Sequence, residues 1–312
     1  MMNLQEKIAS TRELCISALQ TPPLDTIVAN FKRAGIGGSE SMNILRSVLC
    51  SKNRKDSLFS TLHQVGAHLD LASDDSATLS RVLLLQSALA NLDRLEHLPV
   101  VSSVQSMFCD EFKFFMQPSD RGLHWFQPEY YAFEAFSKIA LLERFPAGQF
   151  DWEISGFPRS WLPKVPLPEL PRVSHFIATK LKGFAPCFNP HMPIRSPGML
   201  LERECLRAWH RIARSIEMQR HIKGLVVASW YHSTDTFRVS PHLSFMNKPF
   251  IESGALITTM GPAPEDSGFL TGSPSRRRLY ESGQFKPTYG LVLWSRGQML
   301  HWANAHPELS QY

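Results

Sequence analysis

The sequence predicts an α/β or α+β fold, with an N-terminal helical subdomain at residues 1–98 and a mixed α/β body at residues 99–312. In the first part, apolar residues recur at helical spacing, and no alternating strand-like runs separate them. In the second part, short apolar runs alternate with helical segments, which indicates a mixed sheet flanked by helices. A proline-rich connection at residues 158–197 lies inside this body.

Residues 3–95 are predicted to form successive helices. Thr21-Pro22-Pro23 ends an early helix, because proline lacks the amide hydrogen that a helix interior needs, and Asp25 can cap the next helix. Three further helices are predicted, one starting at Ser39, one over residues 56–69, and one after the capping residues Ser73, Asp74 and Asp75.

Nine prolines fall between residues 158 and 197, and such a density excludes helix interiors and central strands. One strand, Ser174–Phe184, is predicted inside this otherwise extended connection. The clearest helix of the chain then covers residues 198–221, and the buried strand Leu225–Tyr231 follows it. The predicted body is completed by strands at Ala255–Met260 and Tyr289–Trp294, a helix at Pro274–Ser282 and a closing helix after Trp294.

Composition excludes several functional classes. The net charge of +5 is spread along the chain rather than gathered into a basic stripe, which argues against a nucleic-acid partner. The five cysteines are widely spaced without a C-x-x-C pair, which argues against a disulfide framework and a thiolate zinc site. No apolar run approaches the ~20 residues of a membrane span, and we expect a soluble, cytoplasmic protein.

The segment from Gly272 to Gly283 predicts an anion site. Ser273 suits the N-cap of a helix, and Arg276 and Arg277 lie in its first turns. Free amide groups, the helix dipole and two guanidinium groups together suit a phosphate or carboxylate. The alternative is a capped helix whose arginines face water or pair with the acidic residues Glu265, Asp266 and Glu281.

Leu279-Tyr280-Glu281-Ser282-Gly283-Gln284-Phe285 resembles the helix-to-strand passage of the GNAT acyltransferase superfamily. The resemblance implies an acyl thioester of coenzyme A as donor, with an aromatic residue of this helix near the thioester. In that superfamily a Q/R-x-x-G-x-G/A loop after a strand holds the pyrophosphate. The only near match, Lys32–Gly37, follows a helix and predicts a glycine helix stop, and no such loop follows Leu225–Tyr231.

His232, Asp235 and His242 follow directly after the predicted strand Leu225–Tyr231, where catalytic groups collect in α/β folds. His232 is predicted to act as a base. Two histidines and a carboxylate are also the ligands of non-haem iron, but the His-x-x-Asp spacing differs from the common His-x-Asp/Glu pattern. We therefore predict no metal, and hydrogen bonding of a loop histidine stays open.

Glu153 is a second predicted base, because it lies between Trp152 and a further tryptophan, and desolvation raises the pKa of a carboxyl group. The alternative places Glu153 on the polar side of an edge strand. Four arginines on one side of the helix at 198–221 offer a surface for an acidic partner such as an acyl-carrier domain, unless the fold covers them: Arg203, Arg207, Arg211 and Arg214.

The leading prediction is a transferase-type enzyme with a small anionic or phosphate-bearing donor, such as acyl-CoA or an acyl-carrier. His232 and Glu153 would be its bases, and Ser273, Arg276 and Arg277 would bind the donor. Two alternatives stay open, a non-catalytic interaction protein and a non-haem iron oxygenase. The sequence does not specify the reaction.

Overall fold

The structure, a computed structural model, describes residues 2–65, 76–116, 120–192, 200–263, 270 and 272–310. The chain divides into two compact units, Met1–Pro146 and Ala147–Tyr312. Within the described ranges, none of the helices combines the length and hydropathy needed to cross a bilayer.

The first unit is helical, as predicted, and extends past residue 98 because α6 packs against α1 and α5. Asn3 and Glu6 form a capping box at the start of α1. The elements are α1 (Leu4–Leu19), α2 (Leu24–Arg33), α3 (Gly38–Leu49), α4 (Arg54–Gln64), α5 (Ser76–Asn91), α6 (Ser102–Met116), α7 (Tyr131–Ala140) and the short strand β1 (Arg144–Pro146). The proposed capping residues Ser73, Asp74 and Asp75 lie outside the described residues.

The second unit interleaves strands and helices, which confirms the predicted mixed α/β class. Its elements are β2 (Asp151–Gly156), α8 (Leu170–Thr179), β3 (Pro186–His191), α9 (Glu202–Ser215), β4 (Gly224–Ser229), α10 (Thr234–Val239), α11 (Lys248–Glu252), β5 (Leu256–Pro262), α12 (Pro274–Glu281), β6 (Thr288–Ser295) and α13 (Arg296–Ala305). The strands of this unit lie side by side in the order β2-β3-β4-β6-β5.

Most neighbouring strands of this unit are antiparallel: β2 with β3, β4 with β6, and β5 with β6. Strands β3 and β4 run parallel, joined by α9. One face of the sheet packs on α8 through an apolar cluster that includes Val173, Ile177 and Val226. The other face carries Trp294, which packs edge-on against Phe250 and Trp302.

Two predictions about the proline-rich connection are wrong. The predicted strand Ser174–Phe184 is mostly the helix α8, in which Pro171 lies in the first turn, where its missing amide hydrogen does no harm. The connection also contains a central strand, β3, although it includes Pro186 and Pro190. Pro186 is the first residue of β3, a position that tolerates proline.

The boundaries of the neighbouring elements also shift. The helix predicted over 198–221 is α9, which begins at Glu202 and continues after Ser215 as a 3-10 turn, Ile216–Met218. Strand β4 ends at Ser229, and the last residues of the predicted strand form a 3-10 turn, Trp230–His232. This early end of β4 positions His232 at the site described next.

Candidate functional site

A pocket of about 180 Å³ opens where the parallel strands β3 and β4 separate. Phe188 opposite Leu225 is the one register pair between these strands, both of which lie wholly within the described residues. Pro190 then follows in β3, and it has no amide hydrogen to offer a neighbouring strand. The pocket is lined by the ends of both strands and by their flanks: Phe150, Pro190, His191, Met192, Trp209, Val227, Ala228, Ser229, Tyr231, His232 and Met246.

His232 forms part of the pocket wall and is 3% exposed. Its Nδ1 lies 2.8 Å from Oδ1 of Asn247, while Nδ2 of Asn247 donates to the backbone oxygen of His232 at 3.2 Å. Because the amide nitrogen is used in that second bond, its oxygen faces the ring and must accept the hydrogen of Nδ1. Nε2 therefore carries the lone pair of the imidazole.

Burial determines the protonation state of His232. Desolvation lowers the pKa of the imidazole from 6.5 to about 4, and the hydrogen bond to Asn247 opposes this shift only in part. Trp209 and Phe250 pack against the ring, with centroids 6.3 and 5.3 Å away. At neutral pH His232 is a neutral hydrogen-bond acceptor rather than a cation.

The backbone of His232 reaches this position because residue 290 is a glycine. A β-carbon on Gly290 would overlap the carbonyl group of His232 and the amide nitrogen of Ser233. Gly290 lies on β6 opposite Ser229, the last residue of β4. The absent side chain lets the 3-10 turn fold back onto the neighbouring strand.

Glu153, the second predicted base, does not line the pocket itself. It lies on β2, partly buried, with Oε1 3.6 Å from Nε2 of His191. His191 is the residue of this pair that lines the pocket. A carboxylate beside an imidazole orients the ring and stabilises its protonated form. Any role for Glu153 therefore passes through His191.

One of the predicted anion-binding residues, Arg276, lies one aromatic layer from the pocket. Ser273 caps α12, as predicted, by accepting a hydrogen bond from the amide of Arg276. The guanidinium of Arg276 lies 5.1 Å from the ring centroid of Trp230, which stacks at 3.6 Å on Tyr231, a pocket residue. Arg277, in contrast, is exposed.

The charge of Arg276 influences the pKa of the pocket residue Tyr231. Burial raises the pKa of Tyr231, and the positive charge of Arg276 works in the opposite direction. Burial lowers the pKa of Arg276, because it disfavours the charged guanidinium. Its Nη1 also lies 3.5 Å from the hydroxyl of Ser240. Of the acidic residues proposed as alternative partners, Glu265 and Asp266 lie outside the described residues.

The residues of the oxygenase alternative do not converge. Asp235 accepts a hydrogen bond from Thr288 at 3.1 Å, and His242 is exposed while His232 is buried. In the part of the chain that the structure describes, no group of three or more His, Cys, Asp or Glu side chains is placed to hold a metal ion. The three residues that the oxygenase alternative requires therefore do not form a metal-binding triad.

The predicted arginine surface of α9 is largely occupied by the fold. Arg211 is 5% exposed and donates to the backbone oxygen of Ala147. Arg207 pairs with Glu204, and Arg214 bonds to Asn304 and Glu217. Arg203 stays exposed. Since Arg211 is buried, the four arginines do not form one docking surface.

Sequence reasoning missed three site residues, His191, Tyr231 and Asn247. His191 was missed because the prolines around it predict that no central strand forms there, whereas the residue ends strand β3.

The chain was compared with models of protein families, with curated proteins and with solved structures, and none of them matches it.

Proposed function

We propose that this chain is an acyltransferase whose thioester donor enters the pocket between β3 and β4. The observation that carries the proposal is the separation of two parallel strands directly after their single register pair, with a pocket at their carboxyl ends. Ligands of open α/β sheets bind at such positions, outside the carboxyl ends of strands. The pocket combines apolar walls with a few polar side chains, as small-molecule sites do.

The chemistry of the strand ends suits an extended donor that contains amides. Beyond Phe188 and Leu225, the facing backbones of β3 and β4 diverge, and their peptide groups are able to hydrogen-bond a ligand. The pantetheine arm of a coenzyme A thioester is such a ligand, because it is extended and carries two amide groups. Its thioester end would then lie near Tyr231 and His232.

The side chains supply the proton transfers that acyl transfer needs. The nucleophile attacks the thioester carbonyl, the bond from carbon to sulfur breaks, and a bond from carbon to nitrogen or oxygen forms. Nε2 of His232 accepts a hydrogen bond from the nucleophile, and His191, supported by Glu153, takes the proton. Tyr231 also lines the pocket, and its hydroxyl would protonate the leaving thiolate.

The phosphate end of the donor is assigned to the start of α12. Ser273 caps this helix, Arg276 and Arg277 supply the charge, and the stack of Arg276 on Trp230 brings that one residue next to the pocket wall. We place this activity in the cytoplasm, supported by five free thiols.

Calorimetric titration with acetyl-CoA tests the proposal, using a variant that fills the pocket. Ser229 lines the pocket, so Ser229→Leu should weaken acetyl-CoA binding by about tenfold or more through steric exclusion. Ser155→Leu is the matched control, because Ser155 lies on β2 away from the pocket. It should bind acetyl-CoA like the parent.

Thiol release from acetyl-CoA then tests the chemistry. The parent should release coenzyme A slowly to water, and His191→Ala should reduce that rate while acetyl-CoA still binds. If the parent does not bind acetyl-CoA at millimolar concentration, the proposed function is wrong. Equal weakening by Ser229→Leu and Ser155→Leu would place the donor elsewhere.

A further inference from the structure

A second recess of about 360 Å³ runs along the outer edge of β5. Three consecutive residues of this strand, Ile257, Thr258 and Thr259, line it. Successive side chains of a strand point to opposite faces of the sheet. A recess that all three residues line therefore lies against the backbone edge of the strand and not on one face. We call it the edge groove.

The walls of the edge groove come from both faces of the sheet. Thr259 lies opposite Gly290, the residue over which the backbone of His232 passes, so His232 and Thr234 form the wall on that face. The other wall consists of Pro166, Glu169 and Arg172, at the start of α8, which covers the opposite face. A strand edge thus forms the floor of a two-walled groove.

Strand β5 ends the strand order of the sheet, so among the described residues no other strand pairs with its outer edge. An unpaired edge presents a row of amide hydrogens and carbonyl oxygens, which is a template for another strand. Near the carboxyl end of β5, Gly261 lies close to Lys164: a β-carbon built on Gly261 would lie 3.9 Å from the backbone oxygen of Lys164. The open part of the edge is therefore short, about three residues.

We propose that the edge groove binds an extended polypeptide segment, which adds to β5 as a further strand. Main-chain hydrogen bonds to Ile257–Thr259 would supply affinity, and alternate side chains of the peptide would face the two walls. One wall carries the hydroxyl of Thr234, and the other carries the ion pair between Arg172 and Glu169, 3.4 Å apart. Such walls suit polar peptide side chains rather than apolar ones.

The edge groove and the pocket between β3 and β4 share one lining residue, His232. A peptide in the groove would bring an amine or hydroxyl close to this residue, which also lines the donor pocket. The inference that this peptide is the acyl acceptor rests on the proposed function. Binding of the peptide does not rest on the proposed function, since it requires only the edge of β5.

The test screens the full-length protein, without acyl donor, against a library of random fluorescein-labelled hexapeptides by fluorescence polarisation. The tightest peptide is then made in two forms, N-methylated at odd or at even positions. In a strand, alternate amide hydrogens face a given neighbour. One form should bind about tenfold weaker, while the other binds within about twofold of the parent peptide.

Two proline variants identify the edge. One of Thr258 and Thr259 directs its amide hydrogen outward, and proline at that position should leave the circular dichroism spectrum unchanged and abolish peptide binding. Proline at the other position removes a backbone hydrogen bond to β6. Its circular dichroism spectrum shows whether a disrupted sheet edge can be detected. Equal effects of both N-methylated forms, or no peptide bound at millimolar concentration, would overturn the proposal. Peptide binding without any acetyl-CoA binding would instead overturn the proposed function alone.

Discussion

Asn247 holds both the side chain and the backbone of His232, with Oδ1 2.8 Å from Nδ1 and Nδ2 3.2 Å from the carbonyl oxygen. One amide thereby fixes the tautomer of the ring and the path of the turn that follows β4. The ring is buried beside Trp209 and Phe250. This arrangement makes His232 a neutral acceptor, and the residue lines two recesses.

The depressed pKa of His232 predicts how stability depends on pH. The folded protein keeps the ring neutral down to about pH 4, whereas the unfolded chain takes up a proton near pH 6.5. Stability from this group is therefore present above pH 6.5 and is lost as the pH falls toward 4. The loss amounts to about 3 kcal/mol in the free energy of unfolding.

Urea denaturation between pH 4 and pH 7 measures this slope. His232→Gln should make the slope shallower, because a glutamine has no proton to gain, and the remaining slope belongs to groups such as His210, whose pKa burial also lowers. The matched control is His301→Gln, since His301 is exposed on α13 and should leave the slope unchanged. A slope equal to that of the parent protein in His232→Gln would contradict the assigned protonation state.

Gly290→Ala should destabilise the protein, because the new methyl group meets backbone atoms of His232 and Ser233, which cannot rotate away. Overpacking of this kind costs about 1–3 kcal/mol in the free energy of unfolding. Gly297→Ala is the control: it lies in α13 with no atom within 4 Å of the added carbon. There the change should be neutral or stabilising. A Gly290→Ala variant as stable as the parent would contradict the close packing of the turn on β6.

Arg276→Ala and Arg277→Ala should each weaken acetyl-CoA binding by about ten- to a hundredfold, as expected for the loss of a charge-assisted contact. The affinity of the parent should also fall as salt rises. Calorimetry at low and moderate salt measures both effects, and Arg278→Ala, on the same helix, is the matched control. Loss of affinity in Arg278→Ala alone would refute the assigned anion site.

The sequence predicted elements well where one local signal dominates. Ser273 followed by Pro274 and a glycine stop located α12, and apolar runs located β4, β5 and β6 to within a few residues. The prediction failed at β3, because Pro186 and Pro190 have a strong local bias against strands. Pro186 is tolerated as the first residue of β3, and at Pro190 the separation of β3 from β4 makes a missing amide hydrogen harmless.

Individual residues of the site could be predicted from the sequence, but their partners could not. His232 was found because it follows an apolar strand, but its partner Asn247 is 15 residues away and becomes a neighbour only through the fold. Similarly, no local pattern joins Glu153 to His191, which meet across the pair of strands β2 and β3. Contacts between distant segments carry no signature in a single sequence.

The most direct test of the proposed donor site is hydrogen–deuterium exchange with and without acetyl-CoA. We expect slower amide exchange in the separated ends of β3 and β4, at residues 189–192 and 226–229, together with the start of α12. Exchange in β2, which lies outside the pocket, should not change. Protection confined to other segments, or no protection at millimolar acetyl-CoA, would contradict a donor site between β3 and β4.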